Sequence, residues 1–500
     1  MNIQWLIGFV IVGLVVLGIA SLALWFISRI LSYIFLRGKI KELWSEIPDL
    51  YRKIAYNLVI GLGFIYLVMN FSYSIQKLGE VEESVIDFMM SDVMMPFYWE
   101  KIPSIQEKNI PPFVFLNIDD DTMKKWKWPN IVPRDKLKNL IVTARDNNAR
   151  LILVDIDVSA PTQGALLGES DTQLKGYLSD YITKCKAKEN NNLACPPIIF
   201  GRALNNRIPP SDIFLTPKKS FLDELITEST PTESTPNLFQ WGSIDFFLSS
   251  VTHQVRHWRL WEYTCSKDKA GVIPSVELLA MGFIKEKCTI KGIQEELSRS
   301  LQLANCNEKE QSLPKNVTLC NSTISTNRES IEHRIMYRIP WSSPFLVQDD
   351  ADNMVLTTLP AHQYAKEKLE SSLDLSAFDD SIVVIGATHR DAKDNYSTPI
   401  GKMPGSLLFV NAIHTLLQYG TIKLVPIWIS FIMAGLLIIV TTISFHSNTY
   451  IMNLVLPFAI IGLLMVVSFF LLQYGMWLNV ALPLIIIELY NFLRKLPKTN

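Results

Sequence analysis

The sequence predicts an α/β domain, a mixed or parallel sheet with flanking helices, joined to a transmembrane bundle of five helices. Three observations predict it. Apolar runs long enough for a bilayer occur only at the two ends of the chain. The polar centre alternates short apolar strands with stretches of helical spacing, and all six cysteines fall within that centre.

A bilayer crossing needs roughly 20 apolar residues. The first such run is Trp5–Phe35 and the second Ile54–Phe71. The first is too long for the apolar core of a signal peptide and lacks a small-residue cleavage site, so it is read as a retained helix. The connection between them carries Arg37, Lys39, Lys41, Arg52 and Lys53, whereas no charged side chain precedes Trp5. The positive-inside bias therefore places the connection in the cytoplasm. Three more runs follow the centre, at Leu424–Phe445, Ile451–Leu472 and Trp477–Leu493. Alternating them from an outside domain puts Arg494, Lys495 and Lys498 in the cytoplasm, which agrees with the same rule. The expected organisation is two transmembrane helices with a cytoplasmic connection (1–73), an extracytoplasmic domain (74–423), three transmembrane helices (424–494) and a cytoplasmic tail (495–500). Arg29 and Glu488 are the intramembrane charged residues. Both fall toward cytoplasmic helix ends, where snorkelling to the headgroups competes with mutual pairing.

A net charge of −1 gives no basic footprint, so nucleic acid is excluded as a partner. Cys185, Cys195, Cys265, Cys288, Cys306 and Cys320 contain no C-x-x-C pair, which argues for disulfides in an oxidising compartment over a metal site. Six cysteines allow about 15 connectivities. The favoured one joins sequence neighbours, Cys185–Cys195, Cys265–Cys288 and Cys306–Cys320, because each would staple a polar, loop-like insertion.

Within the centre, Phe113–Ile118 reads as a buried strand ending in the turn formers Asp119-Asp-Asp-Thr. Trp128-Pro and Pro133-Arg mark a loop. Leu137, Leu140, Ile141 and Ala144 then give helical spacing across Asp135–Asn148, and Leu151–Asp157 reads as a parallel strand. Further strands are expected at Pro197–Gly201, His257–Trp261 and Arg334–Arg338, with helices at Pro274–Phe283 and Pro360–Leu369. Near the end, Ser381–Gly386 is a buried strand, followed by a loop and a helix from about Ser406 to Tyr419.

The run Phe115-Leu-Asn-Ile-Asp-Asp-Asp-Thr122, then Trp126-Lys-Trp-Pro129, Pro133-Arg134 and Leu153-Val-Asp-Ile-Asp157, resembles the opening of the CHASE type 2 domain. Val384-Ile-Gly-Ala-Thr388, Asp394-Asn-Tyr-Ser-Thr-Pro399, Met403-Pro-Gly405 and Asn411-Ala412 are similar to its ending, before a block of three membrane helices. Gly242–Arg256 and Ile273-Pro-Ser275 fit its middle more loosely. The resemblance implies an extracytoplasmic sensory module of bacterial receptors. Members commonly have one helix before the domain and a catalytic output domain after the last helix; this chain has two before and a short tail after.

Asp119, Asp155, Asp157 and Asp394 fall at or near the carboxyl ends of the strands, with His389 and Arg390 on the same edge. Open α/β sheets bind ligands there, so the carboxylates are candidates for a cation, a hydroxylated ligand or an amine. An Asp at a strand end more often caps a following turn. No G-x-S-x-G, H-E-x-x-H or Gly-rich phosphate loop is present. The expectation is accordingly no enzyme, no catalytic residues and no cofactor, with the identity of any metal unspecified. The leading reading is a sensor of the bacterial inner membrane whose periplasmic domain binds a small ligand and signals through a separate output protein. The alternative is a structural or scaffold subunit of an envelope or secretion assembly. The bilayer itself is a partner in either case, and a homo-oligomer is compatible with both.

Overall fold

The computed structural model describes residues 47–72, 76–90, 110–129, 131–159, 165–187, 195–206, 214–228, 238–249, 252–266, 269–285, 293, 296–299, 306, 316–319, 322–327, 330–341, 346–348, 353–446 and 450–478. The chain divides into two compact units: Met90–Ile422, and Met1–Met89 together with Lys423–Asn500.

The larger unit is built on a seven-stranded sheet. Its strands are β1 (Phe113–Ile118), β2 (Leu151–Asp155), β3 (Ile198–Arg202), β4 (Phe239–Ser243), β5 (Leu346–Gln348), β6 (Met354–Pro360) and β7 (Ile382–Ala387), in the spatial order β5-β6-β1-β7-β2-β3-β4. Every neighbouring pair is parallel except β5–β6, which is antiparallel at one edge. The last strand enters the middle: Ile382 aligns with Phe113 on one side and with Leu151 on the other.

Helices cover both faces, which is why the central strands are continuous apolar runs rather than alternating ones. Period-two geometry sorts their side chains. Phe113, Phe115, Leu151, Leu153, Ile382 and Val384 face one core, shared with helices α4 (Val276–Ile284) and α5 (Gly405–Gln418). Val114, Leu116, Ile118, Ile152, Val154, Val383 and Ile385 face the other. There they meet α2 (Arg134–Asp146) through Leu137, Leu140, Ile141 and Ala144, and α3 (Ala165–Ala187) through Leu174, Leu178 and Tyr181. A short helix α1 (Asp120–Lys125) follows β1. A hairpin, β8 (Asn395–Thr398) and β9 (Gly401–Pro404), precedes α5. A second, four-stranded sheet is formed by Lys269–Pro274, Trp261–Ser266, Leu215–Pro217 and Leu204–Asn206.

Helix α5 is buried along its whole length, including its polar residues Asn411 and Thr415. Those residues act as a substitute for a neighbouring strand. Asn411 Oδ1 accepts from the N–H groups of Arg338 (3.0 Å) and Ile339 (2.9 Å), and its Nδ2 donates to the Ile339 carbonyl (2.9 Å). Thr415 Oγ1 accepts from Met336 N at 3.0 Å. Buried backbone groups left unpaired cost about 1–3 kcal/mol each, so these contacts hold the segment in place.

This arrangement corrects the expected strand at Arg334–Arg338. The segment carries a single isolated bridge, His257 to Arg334, because helix side chains supply the partners a ladder would otherwise provide. His257–Trp261 is not one strand either: pairing ends at His257 and resumes at Trp261, with the fully buried Trp258 at the crossing between them. The helix expected at Pro360–Leu369 stops at Tyr364, where Lys366, Glu367 and Lys368 are exposed and offer no apolar stripe to bury.

Cys185–Cys195 is bonded, tying the end of α3 to the approach to β3. The expected pairs Cys265–Cys288 and Cys306–Cys320 are overturned, because Cys265 bonds Cys306, 41 residues away, with Cα atoms 5.9 Å apart. Both sulfurs belong to one buried cluster, so packing rather than sequence proximity selects the partner. Cys288 and Cys320 lie outside the described residues.

In the smaller unit, helices Asp49–Ser72, Ile427–His446 and Tyr450–Gln473 cover three of the five expected spans. Asn57 Nδ2 donates to Thr442 Oγ1 at 3.0 Å, a buried hydrogen bond between two of these helices. Among the described residues no helix is long and apolar enough to cross a membrane, so the five-helix bundle is not confirmed. Trp5–Phe35, all of Trp477–Leu493 beyond Leu478, and the charged pair Arg29 and Glu488 lie outside the described residues.

Peptide mapping of the chain under non-reducing conditions is expected to recover Cys185 crosslinked to Cys195 and Cys265 crosslinked to Cys306. A peptide joining Cys265 to Cys288 would contradict this arrangement of the core.

Candidate functional site

The position of the site follows from the crossovers. The chain leaves β1 for α2 and leaves β2 for α3, both on one face of the sheet, whereas it leaves β7, which lies between them, for α5 on the other face. Connections that diverge from adjacent strands open a crevice at their carboxyl ends. A cavity of about 640 Å³ occupies that crevice, with Asp155, Asp157, His389 and Asp394 in its wall. Four of the six ligand candidates therefore come together.

The hairpin positions Asp394. Because Asn395 pairs with Pro404, Asp394 is brought opposite Gly405, whose N–H donates to the Asp394 carbonyl at 3.0 Å. Asp155 sits beside Gly386 in the sheet, and Ser406 Oγ donates to Asp155 Oδ2 at 2.6 Å. The two glycines are required by this close approach: a methyl at Gly386 would collide with Ser406 Oγ, and one at Gly405 with the Asp394 carboxylate.

Asp155 and Asp394 thus form a carboxylate pair at the first turn of α5. Burial, and then the charge of Asp394, push the Asp155 carboxyl up to about 7 against the opposing hydrogen bond from Ser406. Asp155 is only half-buried by surface area, but the surface left to it lines the cavity, so removal from bulk water still dominates. Burial also raises Asp394, opposed by hydrogen bonds from Tyr396 and the Gly405 N–H. Tyr396 is pushed upward by its own burial and by the two carboxylates.

Asp157 behaves differently. Burial pushes its carboxyl up, yet the Ser159 N–H (2.8 Å) and hydroxyl, with Lys218 and Arg134, hold it below the usual range. It is therefore an anion that also closes its own turn. Asp119 serves as the cap anticipated for strand-end aspartates, accepting from Thr122 N at 2.7 Å at the start of α1, and it is not in the cavity wall. Arg390 is also outside the wall, but its guanidinium lies 4.7 Å over the ring of Trp128, which is in it.

The sequence reading did not single out Met123, Trp128, Val132, Arg134 or Ser406 as site residues. Arg134 is fully buried at the start of α2; its Nη2 donates to the Asp157 carbonyl at 2.8 Å and its Nε lies 3.8 Å from Asp171. Pro133-Arg at the start of a helix was a visible loop signal, but nothing in the sequence couples it to Asp157. Ser406 is 251 residues from Asp155, beyond any local pattern.

The pH dependence of stability follows from Asp155. Its carboxyl titrates near 4 when unfolded and near 7 when folded, so the folded form holds more protons between these values and loses stability as pH rises through them. Asp155→Asn removes that loss. The variant is expected to melt roughly 2–6 °C above the native chain at pH 8, with the difference vanishing near pH 4. An equal difference at both pH values in a melting series would show that Asp155 carries no such shift.

No curated protein and no solved structure matches the chain. The family model for the CHASE2 domain, an extracellular sensory module, matches residues 60–444. That match covers well over half of the sequence, and the chain belongs to the CHASE2 domain family.

Proposed function

We propose that this chain is a membrane-anchored sensory protein whose periplasmic Met90–Ile422 unit binds a small ligand in the strand-end cavity and signals through a separate partner. The observation that carries the reading is the Asp155–Asp394 pair. Two largely desolvated carboxylates held together in the wall of a cavity are costly when nothing neutralises them, and a ligand supplying donors would offset that cost. Family membership supports the sensory role and the extracytoplasmic location.

The route outward is helix α5. Its first residues, Gly405 and Ser406, touch the carboxylate pair, and only residues 419–426 separate its end from the apolar helix Ile427–His446. A change at the pair is therefore made at one end of a helix whose other end feeds the apolar region. Neither Ile427–His446 nor Tyr450–Gln473 contains Asp, Glu, Lys, Arg or Cys, so what they transmit is a change in packing for another protein to read.

Membrane anchoring is supported by surface chemistry. Trp428, Ile432 and Leu436, spaced four apart on one helix face, are each more than half exposed, as are Leu463 and Phe470. The apolar runs of the sequence, rather than any one described helix, support the five-span topology.

Intact cells treated with an impermeant amine reagent are expected to modify the exposed Lys366 and Lys402 while Lys495 stays protected until the membrane is opened. The reverse pattern would place the domain in the cytoplasm. With the full chain in lipid nanodiscs, one member of a panel of amines, polyols, organic acids and divalent metals is expected to raise the melting temperature saturably. The gain is about 2.7 kcal/mol at 100 times Kd, and it should be lost in Asp155→Asn. A flat panel, together with a stable complex with another envelope protein, would favour a scaffold instead.

A further inference from the structure

The class of molecule can be narrowed from the chemistry of the cavity, provided that this cavity is the sensory site. Its wall presents four carboxylates, Asp155, Asp157, Asp391 and Asp394, against one guanidinium, Arg134, and the imidazole of His389. Arg134 is fully buried; its Nη2 donates to the Asp157 carbonyl and its Nε lies 3.8 Å from Asp171, while Nε and Nη1 make no hydrogen bond. The space is therefore acidic in balance.

Two further features point to a ligand. His389 is 8% exposed, lines the cavity, and has a ring nitrogen, Nδ1, with no hydrogen-bond partner. Trp128, also in the wall, already carries a cation on its ring, the guanidinium of Arg390 at 4.7 Å. It sits on a loop where Lys127 and Trp128 both take left-handed backbone, with φ of 64° and 49°. Side chains rarely adopt that conformation, and strain of this kind concentrates at ligand sites.

We propose that the cavity binds a small organic amine. Its ammonium sits between the carboxylates of Asp155 and Asp394 and turns a remaining N–H toward the imidazole of His389, while its methylene chain lies against Met123, Val132 and Trp128. An anion is disfavoured by the carboxylates. A divalent metal ion finds no group of three His, Cys, Asp or Glu side chains arranged to hold it among the described residues. An ammonium instead asks for acceptors spread around its N–H directions, which the carboxylates supply, and its methylene chain asks for an apolar wall, which Met123, Val132 and Trp128 supply.

Below about pH 7, where the pair holds a proton, binding exchanges that proton for the ammonium; at pH 8 the pair is already ionised and takes up the amine directly. The charged and titratable groups around the pair are Tyr396 on the hairpin, Asp245 after β4, Arg134 on α2, Asp157 beyond β2 and His389 beyond β7. Of these, burial raises Tyr396 and lowers Arg134, and Asp157 is held ionised.

The test is calorimetric titration of the full chain in nanodiscs with 1,4-diaminobutane, against 1,4-butanediol, succinate and magnesium as probes of equal reach or opposite chemistry. Diaminobutane is expected to bind saturably at pH 8 and at least tenfold more weakly at pH 5. Asp394→Asn should weaken binding tenfold or more, and so should Trp128→Ala, which alters a partly exposed residue and does not disturb the core. If diaminobutane is silent while the diol, succinate or magnesium binds and loses affinity in Asp394→Asn, the amine class is wrong and the site stands. If a probe binds equally well to native chain, Asp394→Asn and Trp128→Ala, the cavity is not the site and both readings fall.

Discussion

The insertion of β7 between β1 and β2 governs most of what this domain can do. Registers that align Ile382 with both Phe113 and Leu151 fix three parallel strands whose side chains alternate between two buried cores. A one-residue slip would turn each apolar set toward the wrong helices, so burial on both faces specifies the register strongly. The same insertion sends successive connections to opposite faces, and the crevice at the strand ends is the geometric consequence. Were the strands ordered as in the chain, with β1 beside β2, Asp155 would not lie beside Gly386 and the approach of Ser406 would have no room.

Helix α5 links that constraint to its surroundings. Its first turn touches the carboxylate pair through Gly405 and Ser406, and its middle supplies hydrogen bonds from Asn411 and Thr415 to the extended segment at Met336–Ile339. A helix buried on all sides cannot rotate or slide by small continuous amounts without breaking such bonds, because packed interiors are bistable rather than elastic. Changes in charge at Asp155 and Asp394 are thus imposed on an element with few alternative placements. That is a physical basis for a discrete response.

The core strands were legible because they are buried on both faces: FVFLNI, LILVD and IVVIGA are apolar without interruption and end at charged or turn-forming residues. Strand β4, FQWGS, and helix α3, which contains Gly168 and Gly176, were not, since neither has a clear period of its own and each is held by packing against neighbours. Arg334–Arg338 has the composition of a strand, but beyond the bridge at Arg334 and the Ile335 N–H to the Arg256 carbonyl, Met336 and Arg338 are held by side chains of a helix 73 to 79 residues later. The acidic positions were visible as strand ends. Which of them caps a turn, as Asp119 does, and which faces a cavity, as Asp155 does, depends on the hairpin that returns Asp394 from elsewhere in the chain.

Burial of an acidic group is not by itself the mark of a site, as a second carboxylate pair in the same domain demonstrates. Glu277, in the first turn of α4, is pushed by burial up to about 8, with the charge of Glu262 adding to the shift. Glu262 is itself fully buried and paired with Arg259. Neither glutamate reaches the described cavity; they lie beneath the helix N-terminus where Gly242 lets Val276 pack onto the sheet. The two pairs share their electrostatics and differ in access. Glu262 faces Arg259 and Glu277 sits in a helix's first turn, both sealed inside the core, whereas Asp155 and Asp394 have one serine hydroxyl, one tyrosine and one backbone N–H between them and open onto empty volume. It is that remaining acceptor capacity beside space for a molecule, rather than the raised proton affinity alone, that distinguishes a binding site from a structural one.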